Sequence, residues 1–289
     1  MASDVIRVPL TIAVYPHFMD HCFDGRAVFP AVETLKVLAA SVRDTVRIPG
    51  LEDNPVQLDA HFDKFLVVEP GVSTIPGFSD IRILHDSQVT ATLVTRMPVK
   101  NKAMTRVKEH GTVGFSCQVH PVPAPPFRDV HDLYGPVTRI PADRLYRELV
   151  PFGPAFHSIQ GDLKVSYAGA AARLKARSDN PRDPLRNLLG SGFPLDGAFH
   201  AGCVWCQRFA GIVAFPVGFD KRVIHERTRE HREYEARIVP TVQGAGTFGF
   251  DIWIVDSKGV LCETIQGVMM RDVSGGRIRP PDWIREGRP

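Results

Sequence analysis

The chain has 289 residues, 44% of them apolar and 23% charged, with a formal net charge of +3. That composition can bury a large core, and the basic residues are too few and too interleaved with acidic ones, as in Glu226-Arg227-Thr228-Arg229-Glu230, to expect nucleic-acid binding. Five cysteines without a secreted pattern, no basic leader before an apolar run and no apolar stretch of membrane length predict a cytoplasmic protein with reduced thiols and no membrane partner.

Residues 6–15 are β-rich, and Pro9 puts that strand at an edge or a break. Pro30 can begin a helix without losing a needed donor. Val32, Leu35, Leu38, Ala39 and Val42 then recur at helical spacing, which predicts a mostly buried helix over 30–43. Strand-like segments follow at 56–68, 81–85, 89–97 and 104–119, the third alternating with period two. Pro121, Pro123, Pro125 and Pro126 then exclude both helix and central strand, and with Pro136 and Pro141 they form a stiff, extended connector.

A short helix is expected over 142–149, extended segments over 156–167 and 171–176, and a helical run from Pro194 to Phe209. Strands are expected over 217–224, 234–239, 248–255 and 260–269, and the Gly-, Pro- and Arg-rich tail from Ser274 is expected to be loose. The second half thus repeats the plan of the first. The expected class is α+β, two antiparallel sheets each wrapped around a central helix, with units at 1–120 and 142–273, a Pro-rich linker at 121–141 and a tail at 274–289. Joining the two sheets edge to edge would remove two exposed edges.

His21 lies beside Gly25, just ahead of the helix opened by Pro30. A buried imidazole stays neutral and can accept a proton, but on residue types alone His21 reads first as an ordinary turn histidine. Asp196 falls in the first turn of the second helix, with His200 four residues on along the same face. There it is either a cap stabilised as the anion or, with a raised pKa, a proton donor supported by His200. Phe152-Gly153-Pro154-Ala155-Phe156 is a rigid turn between aromatic side chains that suits the wall of an acyl channel or a hairpin anchor. His200, Cys203 and Cys206 have the spacing of metal ligands but lack a second cysteine pair or a clear fourth ligand, so they read as buried thiols and no metal is expected. His17 and His61 have no such company and read as structural or surface residues; no glycine-rich phosphate loop follows a strand.

Taken in order, these motifs resemble the dehydratase domains of modular polyketide synthases, the double-hotdog family related to fatty acid synthase dehydratases. The resemblance spans about residues 5–272. Its first signature, histidine, three residues, glycine, four residues, proline, is met by His21, Gly25 and Pro30. Its turn motif, usually tyrosine-glycine-proline before an aromatic residue, stands as Phe152-Gly153-Pro154-Ala155-Phe156. The helix motif, aspartate followed four residues later by glutamine or histidine, stands as Asp196 and His200. The segment from Asp256-Ser257-Lys258-Gly259-Val260 to Gly267-Val268 is similar to the family's final hairpin. Two positions depart from it: Ala31 replaces the usual glycine after the motif proline, and Phe152 replaces tyrosine and removes its hydroxyl.

The resemblance implies dehydration of a 3-hydroxyacyl thioester on an acyl carrier protein to a 2,3-enoyl thioester, with His21 as base and Asp196, assisted by His200, as acid. It implies substrate contact at Gly25, Pro30, Ala31, Phe152, Gly153 and Pro154, with backbone N–H groups near the bend from Gly25 to Ala31 polarising the carbonyl. No cofactor is implied beyond the carrier's phosphopantetheine, and other synthase components and a homodimeric partner are. A double-bond isomerase, a product-template-like cyclase and a non-catalytic carrier-binding domain are the alternatives of the same fold.

Overall fold

The computed structural model describes residues 5–51, 56–85, 87–98, 105–118, 121–177, 183–185, 188–244 and 246–287. The outermost residues of one predicted strand, 104 and 119, and residue 120 at the predicted boundary lie outside the described residues.

Strand β1 (Val5–Ala13) leads through a 3-10 turn at Pro16–Asp20 into a small hairpin, β2 (Cys22–Phe23) and β3 (Arg26–Ala27). Helix α1 (Ala31–Thr45) follows, capped by Pro30 and burying Val32, Leu35, Leu38, Ala39 and Val42, the stripe its spacing predicts. Then come β4 (Val56–His61), β5 (Thr74–His85), β6 (Gln88–Pro98) and β7 (Thr105–Ser116). The second half contains β8 (Thr138–Pro141), α2 (Ala142–Glu148), β9 (Ile159–Ser166), β10 (Gly169–Lys175) and α3 (Phe193–Phe209). It closes with β11 (Phe215–Ile224), β12 (Glu233–Gly244), β13 (Thr247–Asp256), β14 (Leu261–Arg271) and α4 (Asp282–Glu286).

The two sheets expected to join edge to edge are one continuous sheet. The long strands hydrogen-bond into one twelve-stranded sheet in the order β1-β5-β6-β7-β4-β11-β14-β13-β12-β10-β9-β8. The halves merge where β4 pairs antiparallel with β11, His61 opposite Gly218 and Ala60 opposite Phe219. Pairing there satisfies two rows of backbone groups that would otherwise be edges. α1 packs on strands of the first half and α3 on strands of the second, and the two helices also touch each other. From Phe193 to Gln207 every residue of α3 is buried, as a helix at the centre of a core requires.

Three other segments differ from expectation, each for a local reason. The ladder of β4 ends at His61 after a register shift at Asp59, whose φ is +46°, so 62–68 leaves the sheet. That segment pairs with 27–29 instead, through Phe29 N–H to Leu66 O at 2.8 Å and Val68 N–H to Ala27 O at 2.9 Å. β5 starts at Thr74 because Pro76 and Gly77, which disguise it as a turn, lie opposite Thr11 and Leu10 of the edge strand β1. Over its described residues the tail packs on the body of the protein: Ile284 is buried, and the Arg144 guanidinium stands 3.6 Å over the Trp283 ring.

At the junction of the halves the backbones approach too closely for any side chain at Gly218. A Cβ there would overlap the carbonyl oxygen of Ala60 and come within 3.1 Å of Met269 Cε. Gly218→Ala is expected to cost about 3 kcal/mol, since the obstructing atom belongs to a paired strand and cannot swing away. A thermal melt unchanged by the substitution would show that β4 and β11 can spread without loss.

Candidate active site

His21 owes its place to the turns around it. It closes the 3-10 turn at Pro16–Asp20, and the hairpin after it reverses at Asp24 and Gly25, whose φ values of +50° and +73° are those of a tight two-residue turn. The hairpin returns Val28 beside the histidine: Val28 N–H donates to His21 O at 2.9 Å, and His21 Nδ1–H donates to Val28 O at 2.9 Å. Val28 is itself bridged to Val67, so the segment that left β4 braces the histidine. With Nδ1 committed, the acceptor nitrogen of the neutral ring is Nε2. Phe152 and Phe156 flank the ring at centroid distances of 4.4 and 4.9 Å. Burial pushes the imidazole below its ordinary value of 6.5, although Asp196 pulls the other way.

Asp196 makes no capping bond at the start of α3. Its side chain points between two histidines instead, with Oδ1 3.9 Å from His21 Nε2 and Oδ2 3.0 Å from His200 Nε2. The closer contact lies off the hydrogen-bond line, since both its atoms lack an aligned partner. Burial alone pushes the carboxyl up, but His200, and then His21, more than offset it and hold Asp196 below its ordinary 3.8. A raised pKa, the condition expected of an acid at this position, is therefore not a property of the resting site.

Two residues that local patterns did not single out complete the arrangement. His200 Nδ1 lies 3.4 Å from Tyr146 Oη, and that hydroxyl accepts the Ile159 N–H at 2.8 Å. The Tyr146 ring stacks on His157 at 4.0 Å, and His157 Nε2–H donates to Phe152 O at 2.8 Å. Tyr146 lies in a helix too short to show which of its faces is buried, so nothing in the sequence marks it.

His21, Asp196 and His200 border one largely apolar cavity between α1 and α3, together with Ala31 and Phe152. The other predicted contact residues are not on its wall. Gly25 is spent on the exposed hairpin turn, and Pro30 is buried as the cap of α1. Gly153 and Pro154 serve as a clasp: Gly153 N–H donates to Asp20 O at 2.7 Å, and Ala155 N–H donates to Asp20 Oδ2 at 2.8 Å. The turn motif of the second half thus grips the residue immediately before His21.

Among the described residues no cluster of three or more His, Cys, Asp or Glu could hold a metal ion. His200 faces Asp196, and the Cys203 thiol is pushed up to about 11 by burial. No helix among the described residues is long and apolar enough to cross a membrane.

A long antiparallel sheet with one buried helix packed on each half defines a hotdog-type protein, and this one sets an imidazole and a carboxylate together between its helices. The family described as polyketide synthase dehydratase N-terminal domain matches residues 128–278, more than half of the chain. The chain belongs to the polyketide synthase dehydratase family. The matched span contains Phe152, Asp196 and His200 and stops short of His21. No curated protein matches the chain.

Solved structures agree on the fold. A trans-AT polyketide synthase dehydratase domain from Brevibacillus brevis superposes with a TM-score of 0.71 at 15% identity, covering 93% of this chain and 95% of that one. The dehydratase domain of PpsC from Mycobacterium tuberculosis, in complex with C12:1-CoA, gives 0.65 at 17% identity over 92% of each chain. That of RzxB from Pseudomonas fluorescens gives 0.65 at 13% identity over 86% of each.

Proposed function

We propose that the chain dehydrates a 3-hydroxyacyl thioester, presented on the phosphopantetheine arm of an acyl carrier protein, to the 2,3-enoyl thioester. The observation that carries this reading is the 3.9 Å between His21 Nε2 and Asp196 Oδ1, contributed by opposite halves to one apolar cavity. Elimination needs a base at C2 and an acid at the C3 hydroxyl, on neighbouring carbons. Two groups this close can serve both from one substrate pose. The PpsC domain is seen with an acyl thioester, C12:1-CoA, which supports the substrate class.

In this mechanism neutral His21 Nε2 takes the C2 proton and negative charge develops on the thioester oxygen. Ala31, at the cavity wall, begins α1, and the first N–H groups of a helix have no intrahelical acceptor. They are suited to that oxygen. Asp196 supplies the acid proton, with His200 Nε2 3.0 Å from its Oδ2. The two histidines hold the resting carboxyl below its ordinary value. Substrate entry expels the cavity's water, which disfavours the charged carboxylate, and the carboxyl so protonated gives its proton to the departing C3 hydroxyl. After water and product leave, the proton on His21 returns across the short gap to the carboxylate. Both proton transfers use side chains and the reaction is redox-neutral, so the mechanism invokes no cofactor. Carrier protein and other synthase components are the partners it implies.

Incubation with a 3-hydroxyacyl-pantetheine thioester is expected to give a product lighter by one water and absorbing as an enoyl thioester. Isomerisation or cyclisation without loss of that mass would replace this reading. The pH profile carries a second expectation. Only neutral His21 is a base, and its pKa is lowered, chiefly by burial. The acid limb of kcat/KM should therefore fall below pH 6.5, activity persisting where an exposed histidine would be protonated. Half-loss at or above pH 6.5 would contradict a desolvated base.

A further inference from the structure

Tyr146 lies behind His200 and away from the cavity wall. Its ring stacks on His157, and its buried hydroxyl meets the Ile159 N–H at 2.8 Å and His200 Nδ1 at 3.4 Å. The Ser158 N–H also bonds that oxygen. Backbone N–H groups only donate, so among the described residues the one acceptor for the hydroxyl's own proton is His200 Nδ1. Burial pushes the phenol above its ordinary 10, which keeps that proton in place at neutral pH.

A neutral imidazole has one ring proton. With Nδ1 accepting from Tyr146, the proton of neutral His200 sits on Nε2, the nitrogen 3.0 Å from Asp196 Oδ2. The opposite tautomer would leave the buried Tyr146 hydroxyl without an acceptor. It would also turn a lone pair toward Oδ2. The resting carboxylate disfavours that arrangement, but a protonated carboxyl favours it, because a proton on Oδ2 would then donate to Nε2 and be held there. Oδ2 is fully buried, so a proton held on it is out of a substrate's reach. Oδ1 instead faces His21 Nε2 across 3.9 Å. Once Asp196 is protonated, the choice between its two oxygens rests on Tyr146.

We infer that Tyr146 is a positioning residue for the acid: it holds His200 as the Nε2–H tautomer and thereby keeps the acid proton on Asp196 Oδ1, the oxygen on the side of the base. The role in turnover rests on the dehydratase reading; the tautomer does not.

Ring-nitrogen NMR of the protein carrying isotope-labelled histidine reads the tautomer directly, with His200→Gln identifying the His200 signals. In the wild-type protein the His200 proton should be on Nε2, and in Tyr146→Phe the Nδ1 signal should move as it loses its donor. A proton on Nδ1 in the wild-type protein overturns the inference whatever the activity. Tyr146→Phe keeps the ring stacked on His157 and should lower kcat for dehydration by about tenfold, the effect of one buried hydrogen bond, with KM unchanged. Exchange of the C2 hydrogen with solvent deuterium uses His21 alone and should run at the wild-type rate. A merely structural role would slow exchange and dehydration together; that result, or full kcat in Tyr146→Phe, overturns the inference. A wild-type protein with the proton on Nε2 that dehydrates no 3-hydroxyacyl-pantetheine thioester would instead overturn the dehydratase reading beneath it.

Discussion

His21→Phe and Asp196→Asn should each lower kcat/KM for dehydration by about a thousandfold, the range in which general acids and bases contribute. Phenylalanine preserves the packing against Phe152 and Phe156, and asparagine keeps the shape of the carboxyl, so both variants should fold. Exchange of the C2 hydrogen with solvent deuterium separates the two roles. Exchange needs only the base, so it should vanish in His21→Phe and persist in Asp196→Asn while water elimination is lost. The sign of a further shift is fixed. Asp196 raises the pKa of His21, so removing its charge removes the largest influence opposing burial, and the acid limb of the remaining exchange should move to lower pH. Equal loss of exchange in both variants would show that the two groups do not divide the labour in this way.

The placement of side chains close to a regular element was legible in the sequence; contacts made across the fold were not. The helix spacing around Leu35 and Leu38 and the burial of the run from Pro194 both stand in the structure as local patterns predict. His21, Asp196 and His200 could be picked out because each sits at a fixed distance from a helix start. Tyr146 could not, because its contact with His200 spans 54 residues and comes from the way α2 packs on β8 and β9. The glycines misled for a related reason. A glycine signals a special backbone or a close approach, but sequence does not say to what. Gly25 turns a surface hairpin, and Gly153 makes room for Asp20. That the halves join edge to edge could be argued from the cost of open edges, but that β4 and β11 make the joint could not, since the pairing depends on how two finished units meet.

Because Gly153 grips the residue before His21, Gly153→Ala is expected to damage catalysis without touching the cavity wall. A Cβ at that position would lie 2.5 Å from Asp20 Oδ1 and 2.7 Å from Asp20 Cβ, distances that neither atom can tolerate. Relief requires Asp20 to move, which strains both clasp bonds, to Gly153 N–H and Ala155 N–H, at the junction of the two halves. The imidazole one residue on is held by Val28 O and by two aromatic rings, so it follows the backbone only in part. A misplacement of about 1 Å is enough to cost about a hundredfold in kcat. Substrate affinity should change less, since Ala31, Phe152 and the rest of the cavity wall stay where they are. Loss of stability should be about 1–3 kcal/mol, from overpacking and a weakened buried bond. A merely structural role for Gly153 would lower the melting temperature and leave the kcat of the surviving folded protein intact. The clasp makes one more demand. In the double variant Asp20→Gly with Gly153→Ala the obstructing side chain is gone, so its combined effect on kcat should fall well short of the product of the single effects. If the two effects multiply, or if Gly153→Ala turns over normally, the turn motif does not position His21.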